Sequence, residues 1–484
     1  MQKWFISICI TLFISVQYIN AQKTPPVPNN EVGVIIKETI SPGQIEKLEI
    51  RIKQLELKAK KLKEQKKYDE AIKCLKLAIS ETKPLWGENN IINSSLKMSL
   101  VSLCIKKQEY HKAAATLKQS MNDYKSSIAY SFKPENYSKG ILMLVAILFN
   151  SSKYSEAQQE LNSLTPSLPQ LSKMKNNECL IKYYYWQAKL KAVANKPTQV
   201  IQNSKLCISQ IGNDYTEYNK DYLFESYSLL YNALDRLNKT NEKEQYLSKS
   251  LNVCTKHYPK DKLTLGTQYY NFGTYYYSLD KSEKALVFTD KAIIAIESIK
   301  ETQPYFLGVT LLLKGKCLAQ EKKWELALPI FEKSINSFKN VDEKDEAQFV
   351  RDDTLLAYRW FLRACSETKK YNKGIVVFKK NERKLLSQPI NKNSIAVILD
   401  AAVLFLDSKQ YNITQQYCIK ALSLASKLKT DKDLDLTING TKWILALAYY
   451  KDKKLSQAIS YGKEVAASKN APESLKNKLM CEIL

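Results

Sequence analysis

A stretch from Tyr269 to Ile335 contains the same pattern twice, and few folds tolerate such a repetition. The first copy reads YYNFGTYYYSLDKSEKALVFTDKAI from Tyr269, and the second reads LLLKGKCLAQEKKWELALPIFEKSI from Leu311. Each places a glycine (Gly273, Gly315), then an alanine (Ala285, Ala327), then another small residue (Ala292, Ser334), with bulky apolar residues between them. Small residues at helical spacing let two helices approach closely, and the large ones fill the remaining space. The expected unit is therefore a helix–turn–helix pair that buries its apolar face only against neighbouring pairs. Taking Ala71 as the first anchor, equivalent positions follow at Ala113, Ala157, Val200, Glu244, Ala285, Ala327, Gly374, Thr414 and Ala458. The steps between them are 42, 44, 43, 44, 41, 42, 47, 40 and 44 residues. Glu244 puts a charge where close packing is expected, so the fifth repeat is expected to be loosened or shifted.

This pattern resembles the tetratricopeptide repeat, in the longer variety found in kinesin light chains and many exported bacterial repeat proteins. The common period is about 34 residues, and a period near 42 adds about two helical turns. The resemblance implies an all-α, right-handed α-α superhelical solenoid of about ten helix pairs. The expected organisation is a signal peptide over 1–21, a linker over 22–44, the solenoid over 45–470, and a terminal segment over 471–484. That last segment, APESLKNKLMCEIL with its apolar end, reads as a cap or as the start of a further repeat. The longest step contains VDEKDEAQFVRDD (Val341 to Asp353), which reads as a long loop in preference to a hinge.

Composition bounds the chemistry. Only 12 Gly and 14 Pro in 484 residues suit a helical chain, and 44% apolar residues suit an ordered one. The net charge of +25 comes almost wholly from lysine: of 74 basic residues, the arginines are Arg51, Arg236, Arg351, Arg359, Arg363 and Arg383. Arginine is the residue of bidentate phosphate and base contacts, so no nucleic-acid partner is expected. The lysines read as a solvated face that favours acidic peptides or an anionic envelope surface. Cysteines never form a CxxC pair, and several sit at core positions of the repeat (Cys104, Cys365, Cys418), so small buried thiols are expected. The histidines, His111 and His257, lie in different repeats without metal-ligand spacing. No nucleotide, hydrolase or metalloprotease motif occurs. Neither catalytic residues nor a cofactor or metal is expected, and the chain is read as no enzyme.

The N-terminus has the pattern of an export signal: a short basic start, an apolar run from Trp4 to Val16, and Ala21 before Gln22. Cleavage near Ala21 would place the protein in the periplasm or outside the cell; the alternative is an uncleaved anchor.

In the resembled family, the first helix of each repeat lines a concave groove that holds protein or peptide ligands. Carried onto this sequence, that register gives Tyr185 and Lys189 in the fourth repeat and Tyr270, Thr274 and Tyr277 in the sixth. It gives Lys316 in the seventh, Arg359 and Arg363 in the eighth, and Trp443 and Tyr450 in the tenth. The expected function is an exported scaffold whose basic, aromatic groove binds acidic or carboxylate-bearing segments. Two alternatives stand beside it: the sensory or autoinhibitory arm of a larger enzyme, such as a caspase-like CHAT peptidase or a histidine kinase, and a structural or assembly factor of the cell envelope. The sequence leaves the oligomeric state open.

Overall fold

The computed structural model describes residues 41–474, apart from 88–89, 128, 174–176, 213–218, 300–302, 342–347, 388–389 and 430–431. The signal and most of the linker, and residues 475–484 of the terminal segment, therefore lie outside the described residues. The chain divides into two compact units, ending and beginning at Ser250 and Leu251, inside the fifth repeat.

The first unit opens with α1 (Pro42–Glu64) and α2 (Tyr68–Trp86), followed by α3 (Ile91–Lys106) and α4 (Tyr110–Lys125). A single turn, α5 (Ala129–Phe132), leads to α6 (Glu135–Asn150) and α7 (Tyr154–Asn162); α8 (Leu168–Leu171) leads to α9 (Glu178–Val193) and α10 (Pro197–Ile211). The fifth hairpin is α11 (Lys220–Arg236) with α12 (Thr240–His257), through which the unit boundary passes. The second unit continues with α13 (Lys262–Ser278) and α14 (Ser282–Glu297), α15 (Pro304–Gln320) and α16 (Trp324–Lys339), α17 (Gln348–Glu367) and α18 (Tyr371–Leu385). It ends with α19 (Lys392–Asp407) and α20 (Tyr411–Ala425), then α21 (Lys432–Lys451) and α22 (Leu455–Ala467). No strand occurs among the described residues. In each unit the hairpins stack side by side, the first helix of one against the second helix of the hairpin before it.

The stacking follows from unequal apolar faces. Second helices bury one stripe, as α14 does with Ala285, Thr289, Ala292 and Ile296 at helical spacing. First helices lie between two second helices and are apolar on more than one side: α19 buries Ile395, Ala396, Val397, Ile398, Ala401, Ala402, Leu404 and Phe405. All eight described cysteines are free and buried in these interfaces.

Every hairpin turns in the same way. Three residues separate the two helices, and the middle one is a non-glycine residue with φ between 53° and 62°: Lys66, Gln108, Ser152, Asn195 and Asn238 in the first unit, and Asp280, Lys322, Lys369, Lys409 and Lys453 in the second. The next residue donates its N–H to the carbonyl five positions back, as Lys67 to Leu62 at 2.9 Å and Lys323 to Leu318 at 2.9 Å. This is the Schellman closure, which satisfies the last carbonyls of the first helix. A left-handed residue other than glycine costs about 1 kcal/mol, so each turn is held by the packing on either side of it.

These turns set the register, and they correct the fifth anchor. The anchor lies five residues after the left-handed residue in the other nine repeats; in the fifth, Asn238 makes it Lys243, not Glu244. Lys243 is buried along its stem, and its amine reaches out to the carboxylate of Asp235. Two further boundaries differ from expectation. Ser41 and Gln44 form a capping box, with Ser41 N–H donating to Gln44 Oε1 at 3.0 Å, so α1 begins at Pro42 and takes residues read as linker. Residues Gln348 to Asp353, read as loop, are the first turns of α17.

Candidate functional site

The sequence-derived face residues occupy three equivalent places in the repeat, the third being that of Tyr277 and Tyr450. Tyr185, Tyr270, Arg359 and Trp443 share one position on their first helices, and Lys189, Thr274, Lys316 and Arg363 lie one turn further on. Burial separates them sharply.

In the first unit, Tyr185 is only 1% exposed and stands behind the surface, with its hydroxyl donating to Glu225 Oε2 at 2.5 Å. Lys189 lies 3.1 Å from the same oxygen and 3.0 Å from the tyrosine hydroxyl, with the Phe149 and Trp186 rings 5.3 and 5.5 Å from its amine. This cluster satisfies its own charges. It is a packed polar network joining the fourth and fifth hairpins.

In the second unit, Tyr270, Thr274 and Tyr277 are half-buried on α13. Burial, with the negative charge of Asp353 as a smaller cause, pushes the Tyr270 phenol up to about 12. Thr274 donates to the Asn271 carbonyl of its own helix at 2.8 Å. The Lys316 amine rests 4.6 Å from the centre of the Tyr277 ring, and burial lowers its pKa. On α17, burial raises the Asp353 carboxyl, and the Tyr305 hydroxyl opposes this by donating to it at 2.8 Å.

The arginine pair divides its work. Arg359 Nε donates to Asp400 Oδ2 at 2.9 Å, a half-buried pair across two first helices. Burial raises the Asp400 carboxyl, and the Arg359 and Arg363 charges oppose that rise. Arg363 is exposed, and its guanidinium lies 5.5 Å from the Trp360 ring and 5.7 Å from the Trp324 ring. The two indoles stack with centroids 6.4 Å apart and planes 24° from parallel. Arg363 makes no ion pair among the described residues, with Glu367 or any other acid. Trp443 is half-buried against the same core clusters as Tyr461, and Tyr450 is 38% exposed with the Lys451 amine 5.6 Å from its ring.

The partners Glu225, Asp400 and Asp353 were missed by counting along first helices alone. They lie 40, 41 and 48 residues from Tyr185, Arg359 and Tyr305, about one repeat away. An acid one period after a basic or phenolic face residue is the signal that finds them. Among the described residues, no cluster of three or more His, Cys, Asp or Glu is placed to hold a metal. No described helix is long and apolar enough to cross a membrane.

Solved structures of known proteins share this architecture. The apo form of RapI is similar over 81% of this chain and 99% of its own, at 11% identity and a TM-score of 0.56. A signal-transduction ATPase with a tetratricopeptide repeat sensor, from Pyrococcus horikoshii, is similar over 84% of this chain and 56% of its own, at 14% identity and a TM-score of 0.54. The fold is that of the tetratricopeptide-repeat proteins. No family model matches the sequence, and no curated protein matches it.

Proposed function

We propose that the chain is a scaffold that binds protein or peptide segments on the first-helix face of its second unit. One observation supports this above the others: an exposed arginine guanidinium beside two stacked tryptophans, with no ion pair among the described residues. Contact with the rings limits the guanidinium's freedom while leaving N–H donors for a carboxylate. Tryptophan and arginine are also the side chains that dominate binding energy at protein interfaces. Lys316 over Tyr277 repeats the arrangement one hairpin earlier, which makes acidic or carboxylate-bearing segments the preferred class. The test is an array of acidic peptides and their amide counterparts, followed by titration of the tightest binders. Arg363→Ala is expected to weaken binding by about tenfold or more. Arg359→Ala is expected to act through stability, because it leaves Asp400 without its partner. Binding that ignores both salt and Arg363→Ala would sink this reading.

The proposed setting is export, supported by the pattern of residues 1–21, which lie outside the described residues. N-terminal sequencing of protein from its source cells is expected to start at Gln22. A start at Met1 would remove export by cleavage.

A further inference from the structure

The hairpin turns of the second unit carry a chemistry that backbone geometry does not ask for. A left-handed turn position favours glycine, then asparagine. Four of the five such positions here are lysine: Lys322, Lys369, Lys409 and Lys453. All four are exposed, and none has an ion pair among the described residues. Lys281 and Lys323, at the residue after the left-handed one, are likewise exposed without an acid partner.

The turns lie side by side. Gln320 donates to Asp280, Lys370 pairs with Glu325, Ser366 donates to Asp407, and Gln415 Nε2 donates to Asp452 Oδ2 at 3.0 Å. Each of these bonds joins one turn region to the next, so the lysines form a row along one edge of the unit. Between the α17–α18 and α19–α20 turns, Lys369, Lys370, Lys373 and Lys409, with a single acid, Asp407, line an open cleft of about 410 Å³. Two apolar side chains stand beside the same turns: Leu326, 60% exposed, and Leu455, 56% exposed.

We propose that this edge docks the protein on an anionic phospholipid surface, with lysines over the phosphates and Leu326 and Leu455 at the headgroup–acyl boundary. Lysine is a compact point charge that needs no fixed donor geometry, which suits a fluid sheet of phosphates. Each lysine near such a surface adds to the attraction, and exposed apolar side chains among the charges add insertion. A nucleic-acid backbone would use the lysines and leave both leucines in water. Trp324, one of the two indoles beside Arg363, lies between Lys323 and Leu326, so this edge borders the first-helix face.

The test compares co-sedimentation of the full chain with phosphatidylcholine vesicles made with and without phosphatidylglycerol. Binding is expected only to the anionic vesicles and is expected to weaken with salt. The variant with Lys322, Lys369, Lys409 and Lys453 all changed to Gly loses four charges while relaxing four strained turns, so lost binding cannot be ascribed to unfolding. Its partition is expected to fall on the order of a thousandfold at low salt. A charge-matched control, with Lys333, Lys339, Lys380 and Lys463 changed to Gln, is expected to bind nearly as the parent does. Leu326→Asn with Leu455→Asn is expected to remove the binding that survives high salt. Three results overturn the proposal: no binding by the parent, equal losses in the glycine variant and the control, or competition by a DNA duplex that displaces the vesicles.

Discussion

Gly315→Ala is expected to lower the unfolding free energy of the second unit by about 2 kcal/mol, while Gly440→Ala is expected to raise it slightly. Both glycines lie inside first helices of that unit. Helix propensity alone favours alanine at each by about 1 kcal/mol. The surroundings reverse the sign at one of them. A Cβ at Gly315 would lie 2.6 and 2.8 Å from two ring carbons of Phe331, which is fully buried. That ring stacks on Trp360 with centroids 5.9 Å apart and is enclosed by a cluster that includes Leu328 and Phe361. It cannot swing into solvent, so the two helices must separate, and overpacking of this kind costs about 1–3 kcal/mol or more. A Cβ at Gly440 would meet only Leu399 Cδ2, at the ordinary contact distance of 3.6 Å. Urea unfolding of the two variants beside the parent checks the pair. A Gly315→Ala protein at least as stable as the parent would show that close helix approach is not what this glycine provides.

That contrast also marks what the sequence could and could not show. Small residues at fixed intervals reveal the hairpins because close packing favours them at those positions. The six alanine anchors were legible for that reason, and Val200, Gly374 and Thr414 followed from register. The fifth slipped by one residue because neither Lys243 nor Glu244 is small, and the packing stripe alone gave no basis for choosing between them. The turn did: Asn238 tolerates the left-handed conformation, and counting five residues from it gives Lys243. The site was less legible. A helical register assigns residues to a face, but it says nothing about how far the neighbouring hairpin covers that face. Tyr185 and Arg363 are both read as face residues, yet one is buried beside Glu225 and the other is exposed over two indoles. Trp324 opens a second helix, so a register taken along first helices never reaches it.

The second unit is expected to lose several kcal/mol of stability between pH 8 and pH 10, and its thiols are the reason. Burial pushes Cys254, Cys317, Cys365 and Cys418 up to about 12. An unfolded thiol titrates near 8.5. Between those values the unfolded chain has released protons that the folded chain still holds. The unfolded state therefore binds fewer protons, and stability must fall as pH rises through this window. Each thiol contributes about 1.4 kcal/mol per pH unit once the pH exceeds 8.5, so four together give several kcal/mol by pH 10. Below about pH 8 both states hold the proton and the slope vanishes. The many surface lysines act the other way as they begin to neutralise, and high salt suppresses that opposing trend. Unfolding free energies measured in high salt from pH 7 to 10 should stay level and then descend. The variant Cys365→Ala with Cys418→Ala should be less stable at neutral pH, because two packed side chains are shortened, yet should descend about half as steeply. Alkylation at pH 8 gives an independent reading, since a thiol held protonated in the core is inert until the unit opens. A level profile through pH 10, or equal slopes in parent and variant, would mean that these thiols reach water in the folded protein.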